Sequence, residues 1–152
     1  MNTRTKRILT AGIGTGAALA GLLFAGAGPA QAASADQAAA ICGAGYWPDG
    51  EATLPDTTSL PTSSIIYISY NGTTDCAVNI KVQEVGTPTP MYVYLNGPNP
   101  SWGGDADNGS WDGGNYSYYA GPVYTNAPGA CIEWGGGYGA SLEIDLGPDH
   151  CG

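Results

Sequence analysis

The chain has 152 residues, the length of a single domain, and only 11% of them are charged, where an ordinary soluble domain carries about 25%. Thirteen Asp and Glu face four Lys and Arg, with one His, four Cys, 25 Gly and 11 Pro. The acidic balance argues against a nucleic-acid binder, the lone His against a multi-histidine metal centre, and the shortage of good helix formers against a helical bundle.

Met1–Ala32 reads as a secretory signal peptide. Arg4, Lys6 and Arg7 form a basic start, Ile8–Gly28 is mostly apolar, and Pro29-Ala30-Gln31-Ala32 supplies a small-x-small cleavage site. A membrane anchor would need roughly 20 apolar residues, a length this stretch only just reaches. The glycines, Pro29 and the Ala-x-Ala ending favour cleavage before Ala33, with a second site after Ala35. Residues 33–152 then form one exported domain, with no further long apolar run to engage a membrane. That domain keeps Lys81 as its one basic side chain against thirteen carboxylates, a formal charge of −12. Such a surface repels nucleic acid and anionic membranes. Cys42, Cys76, Cys131 and Cys151 all survive cleavage, and an even number in an exported chain points to two disulfides. No C-x2-C pair supports zinc.

Along the mature chain, Ala33–Ile41 is Ala-rich, a frayed end or a short helical turn. A first strand is expected to begin within Cys42–Trp47, and Pro48–Ser64 has loop composition. Ile65–Tyr70 is β-branched and aromatic, hence a strand, and Asn71-Gly72 is a hairpin signal. Cys76, Val78, Ile80 and Val82 then alternate with Ala77, Asn79, Lys81 and Gln83, which predicts a strand with one buried face. Gly86–Pro90 breaks the pattern. Met91–Leu95 is another strand, with Met91, Val93 and Leu95 on one face and Tyr92 and Tyr94 on the other. Asn96–Gly114 reads as a long loop, and Asn115–Tyr124 as a strand bent near Gly121-Pro122. Pro128-Gly129 makes a turn, Cys131–Trp134 is a short strand, and Gly135–Gly137 is flexible or bulged. Leu142, Ile144 and Leu146 alternate with Glu143 and Asp145 in a last strand. Short strands at this spacing predict an all-β antiparallel sandwich or small barrel. In an antiparallel meander the start of one strand lies beside the end of the next. That favours Cys42–Cys76 and Cys131–Cys151, although sequence alone leaves three pairings open.

Candidate chemistry is thin. His150 lies beside Cys151 near the chain end, and is expected to be a solvated residue pinned by a disulfide. No Gly-x-Ser-x-Gly elbow occurs. Glu133, Glu143 and Asp145 are candidates for a glycosidase pair across a hairpin, but alternation puts Glu143 and Asp145 on the solvent face. The stretch from Asp105 to Asp112 gathers oxygen ligands suited to calcium, with Asp105, Asp107 and Asp112 as candidates. It departs from the EF-hand pattern: counted from Asp105, glycine stands fifth instead of sixth, and Tyr116 stands where the closing Glu belongs. A turn-rich surface loop is favoured over a metal site there. Trp102, Trp111, Tyr116, Tyr118 and Tyr119 are candidates for a sugar-stacking platform. Packing in a core that holds no Phe after cleavage is the stronger expectation for them.

The run Ser117-Tyr118-Tyr119-Ala120-Gly121-Pro122-Val123, joined to Ala127-Pro128-Gly129-Ala130-Cys131-Ile132-Glu133-Trp134-Gly135-Gly136, is distinctive. With Cys42-Gly43-Ala44-Gly45-Tyr46 before it and His150-Cys151-Gly152 after it, Cys42–Gly152 resembles the spore-associated protein A family. These are small exported proteins of streptomycetes and related actinobacteria. The resemblance implies a secreted protein of the spore surface, and it brings no catalytic residues. The expectation is therefore a non-enzymatic structural or surface-associated protein without a cofactor, its partner a spore surface or cell-wall polymer. The alternative is a carbohydrate- or cell-wall-binding module using exposed Tyr and Trp. An extracellular hydrolase on Glu133 and Glu143, or a loop-displaying inhibitor, ranks lower.

Overall fold

The computed structural model describes residues 32–98 and 109–151. Almost all of the expected leader falls outside them, as do Trp102, Asp105 and Asp107. One helix, α1 (Ala35–Cys42), precedes eight strands: β1 (Trp47–Leu54), β2 (Ser64–Tyr70), β3 (Thr74–Lys81), β4 (Thr89–Asn96), β5 (Ser110–Tyr116), β6 (Tyr119–Asn126), β7 (Ile132–Tyr138) and β8 (Leu142–Asp149). They build two four-stranded antiparallel sheets, β1-β2-β3-β6 and β5-β4-β7-β8. The chain is thus the antiparallel sandwich expected from its strand pattern. Leu54, Ile66 and Ile68 of the first sheet meet Val93, Leu95 and Ile132 of the second in the shared core.

Helix α1 starts where Ser34 caps it, its hydroxyl accepting from the Gln37 amide at 3.2 Å. It stops at Gly43, which takes a positive φ. Ala38 and Cys42 press on Tyr67, Cys76, Val78 and Ile80 of the first sheet, and the Cys42–Cys76 disulfide staples them there. The second bridge joins Cys131 to Cys151. Both are the pairs the meander favours, although Cys42 ends a helix and does not open a strand.

The helix explains a correction at β3. Its whole length is buried apart from Thr74, because α1 covers the Cys76/Val78/Ile80 side while the second sheet covers the other. Alternation therefore marks two different buried environments. On the inner side, the Asn79 amide nitrogen donates to the carbonyls of Tyr92 and Gly137, both at 3.0 Å. Lys81, only 2% exposed, donates to the Thr87 carbonyl at 2.6 Å and the Thr89 hydroxyl at 2.7 Å. Burial pulls its ammonium pKa below the usual lysine value.

Three stretches that read as loops or flexible joints are strands. β1 occupies most of the first half of Pro48–Ser64. It is an edge strand, where Pro48 forfeits no ladder bond, and a register shift between Pro48 and Gly50 absorbs the irregularity. β5 occupies the end of Asn96–Gly114 and is the edge of the second sheet, paired to β4 from Thr89↔Tyr116 to Leu95↔Ser110. The expected Asn115–Tyr124 strand is accordingly split between β5 and β6. Gly135–Gly137 lies inside β7, a buried central strand. The hairpin after Tyr70 holds, with the Asn71 side-chain oxygen accepting from the amides of Thr73 at 3.1 Å and Thr74 at 2.9 Å.

Candidate functional site

The two sheets present very different outer faces. That of the first is covered by α1. That of the second carries no helix among the described residues, and its composition follows from register. Met91, Val93 and Leu95 turn inward on β4, so Tyr92 and Tyr94 turn outward. Tyr92 stands opposite Gly113 and Gly137, and Tyr94 opposite Trp111 and Gly135. Gly137 in turn faces Glu143, and Gly135 faces Asp145. Two rows therefore cross all four strands: Gly113-Tyr92-Gly137-Glu143 and Trp111-Tyr94-Gly135-Asp145.

The glycines in these rows leave no room for a side chain. A Cβ on Gly137 would lie 2.1 Å from Tyr92 Cε1, and one on Gly135 would lie 2.2 Å from the Ile144 carbonyl oxygen and 2.8 Å from Tyr94 Cε1. A Cβ on Gly113 would lie 2.3 Å from Trp111 Cζ2. Each ring thus rests on the backbone of a glycine and takes the place of its missing side chain. The tyrosine tips are held as well. The Tyr94 hydroxyl donates to Asp145 Oδ1 at 2.8 Å, and the Tyr92 hydroxyl to Glu143 Oε2 at 3.4 Å. Burial, with the carboxylate beside each, raises both phenol pKa values above the usual tyrosine range. The outcome is a shallow surface of aromatic rings bordered by carboxylates. Trp111, 63% exposed, lines an open groove of about 410 Å³ with Pro90, Tyr92 and Asn115.

A second polar feature lies at one end of the sandwich. Asp49, Tyr70, Asp75, Ala127, His150 and Cys151 line a cavity of about 350 Å³. His150 Nδ1 is 2.7 Å from Asp49 Oδ2, and its ring rests edge-on against Trp134 at 5.9 Å. The histidine side chain is only 17% exposed, which corrects the expectation of a solvated terminal residue. The Cys131–Cys151 bridge holds the chain end where His150 can tuck in over Gly50. Asp75 is 2% exposed. Burial first, and the Asp49 carboxylate second, push its pKa up to about 6, with His150 opposing.

The aromatic residues singled out in the sequence do not form one patch. Trp111 belongs to the open face. Tyr119 stands opposite Ile80, whose side chain packs toward α1, so it lies on the far side of the sandwich. Tyr116 turns inward against the core and donates to Asp112 Oδ1 at 2.7 Å. Tyr118 is exposed in the turn between β5 and β6. Tyr92 and Tyr94 are the residues missed, although their alternation opposite Met91, Val93 and Leu95 placed them on an outer face. Of the acids, Glu143 and Asp145 are exposed as expected, whereas Glu133 is buried and accepts from the Asn96 amide at 3.2 Å. Asp112 is occupied too, since its Oδ2 accepts from the Gly121 amide at 2.6 Å and so ties β5 to β6. Among the described residues, no three His, Cys, Asp or Glu side chains are grouped to hold a metal ion.

Fold and face together define a small disulfide-bonded β-sandwich with one helix-covered sheet and one bare aromatic sheet. The chain is 38% identical to spore-associated protein A of Streptomyces coelicolor over 141 residues, which cover 90% of this chain and 82% of that relative. It belongs to the spore-associated protein A family. No family model matches the sequence, and no solved structure matches it.

Proposed function

We propose that this is an exported, non-enzymatic protein held at the spore surface through the bare face of its second sheet. The observation that carries the proposal is the face itself, where rings seated on glycines line the sheet that no helix covers among the described residues, with Trp111 open to solvent. An exposed Trp111 beside two half-buried tyrosine rings is the kind of apolar surface that marks interaction sites. The name of the Streptomyces coelicolor relative supplies the spore setting. The basic-apolar-small pattern of Met1–Ala32 supports export. A non-enzymatic role is supported by the shallowness of the face, which encloses no bond to be cleaved, and by the two tyrosine hydroxyls bound to Glu143 and Asp145.

The test is retention of purified mature protein on washed spores from a strain lacking its gene. The expected result is that the protein sediments with the spores and that Trp111→Ala releases it. Recovery of the wild-type protein in the wash would overturn the proposal, as would turnover of a glycan, ester or peptide substrate. Mass spectrometry of the exported protein should show an N-terminus at Ala33.

A further inference from the structure

We infer that the bare face of the second sheet is a binding platform for a glycan chain whose sugars carry free amino groups. This rests on the proposal that the same face is the contact surface, and adds the chemistry of what it contacts.

Three observations define the occupant. The first is flatness. Trp111, Tyr92 and Tyr94 each lie against a glycine, with a Cβ position 2.1 to 2.8 Å from a ring atom. The rings therefore present their faces outward. A protein partner is usually anchored by side chains that fill enclosed pockets, whereas the groove beside Trp111 is open and floored by glycine backbone and ring surface. A sugar ring, by contrast, offers a flat C–H face that stacks on an aromatic face.

The second observation is polarity. Glu143 and Asp145 are exposed at the ends of the two rows, opposite Gly137 and Gly135. Each accepts one hydrogen bond from a tyrosine, and a carboxylate has about four lone-pair sites. Acceptor capacity thus remains, in fixed positions, beside the rings. The third is charge. After removal of the leader, Lys81 is the single basic side chain, and it is buried between the sheets. No cation is available on this face to meet a phosphate, sulfate or uronate. An ammonium group, however, finds two carboxylates and the faces of three aromatic rings, which attract cations directly. Stacking selects a sugar, and the charge selects a basic one.

The experiment measures retention of the mature protein on chitosan, on its N-acetylated counterpart chitin, on cellulose, and on poly-lysine beads, at low and high salt. Wild type is expected on chitosan, with retention about tenfold weaker on chitin and cellulose. Trp111→Ala keeps the net charge and should lower chitosan retention about tenfold with its melting temperature essentially unchanged. Glu143→Gln combined with Asp145→Asn should lower it similarly while leaving the rings in place. Equal retention on chitin and chitosan would overturn the inference, because the amine would then not matter. So would Trp111→Ala binding like wild type, which would reduce the effect to attraction between an acidic protein and any polycation. Poly-lysine retention lost in the same variants would assign the face to a basic protein instead. Spore retention is read separately: spore binding without chitosan binding refutes the amino-sugar chemistry alone, and chitosan binding without spore binding refutes the spore location alone.

Discussion

Asp75 provides a pH signature that can be worked out from its surroundings. It is 2% exposed, it shares a cavity with Asp49 and His150, and its pKa rises from the ordinary 3.8 to about 6. An acid whose pKa is raised by folding binds its proton more tightly in the native state. Its contribution to stability is therefore complete below the unfolded value and drains away as pH climbs through the folded one. The window runs from about pH 4 to about pH 6, and two pK units correspond to about 3 kcal/mol. Asp75→Asn is nearly isosteric and cannot ionise. The difference in unfolding free energy between wild type and variant, taken from denaturant titrations at pH 4 to 8 with both disulfides intact, should favour the variant progressively. The gain should reach about 2 to 3 kcal/mol at pH 7. Stability curves that run parallel across the window would refute the assignment of a buried, proton-holding Asp75.

Gly137→Ala drives a methyl group into Tyr92 and should cost about 1 to 3 kcal/mol, read by chemical denaturation, while lowering retention on whatever the open face binds. Replacing Cys42 and Cys76 together by Ser removes a bridge spanning 34 residues. Loop-closure entropy puts the loss at about 4 kcal/mol, seen as a lower denaturation midpoint. Lys81 Nζ is buried and doubly hydrogen-bonded. An amine-reactive ester should therefore label the native mature protein only at its α-amino group, and label Lys81 as well once the chain is unfolded, as mass spectrometry would show.

Much of the sandwich was legible because apolar alternation survives wherever each residue supplies its own side chain. Met91–Leu95 and Leu142–Leu146 are of this kind. The pattern fails where a strand borrows its side chains from a neighbour. In β7 the outer surface of Gly135 and Gly137 is filled by Tyr94 and Tyr92, so the strand's own sequence shows only glycine. In β5, Gly113 is covered by Trp111 in the same way. β1 reads as a loop because an edge strand tolerates proline. At β3 the alternation is present, but sequence cannot say that a helix stapled through Cys42–Cys76 buries its second face. The cavity at Asp75 was the least legible feature. Asp49 and His150 are 101 positions apart, and they meet because β1 pairs with β2 while the Cys131–Cys151 bridge returns the chain end to the core.

The bare face is hard to explain by stability alone. Glycine in a strand interior costs roughly 0.5 to 1 kcal/mol relative to alanine, and here three glycines face outward in the two strands that flank β4. Exposed aromatic surface forgoes about 25 cal/mol for each Å² that stays wet. A threonine-rich outer face would avoid both penalties and would suit a sheet that merely faces water. The other sheet shows that this chain can cover much of a face with little, since eight residues of α1 and one disulfide bury the outer side of β3 there. Rings seated on glycines, with their tips bound by Glu143 and Asp145, form a surface kept flat and rigid before anything touches it. Such preorganisation lowers the ordering cost of binding.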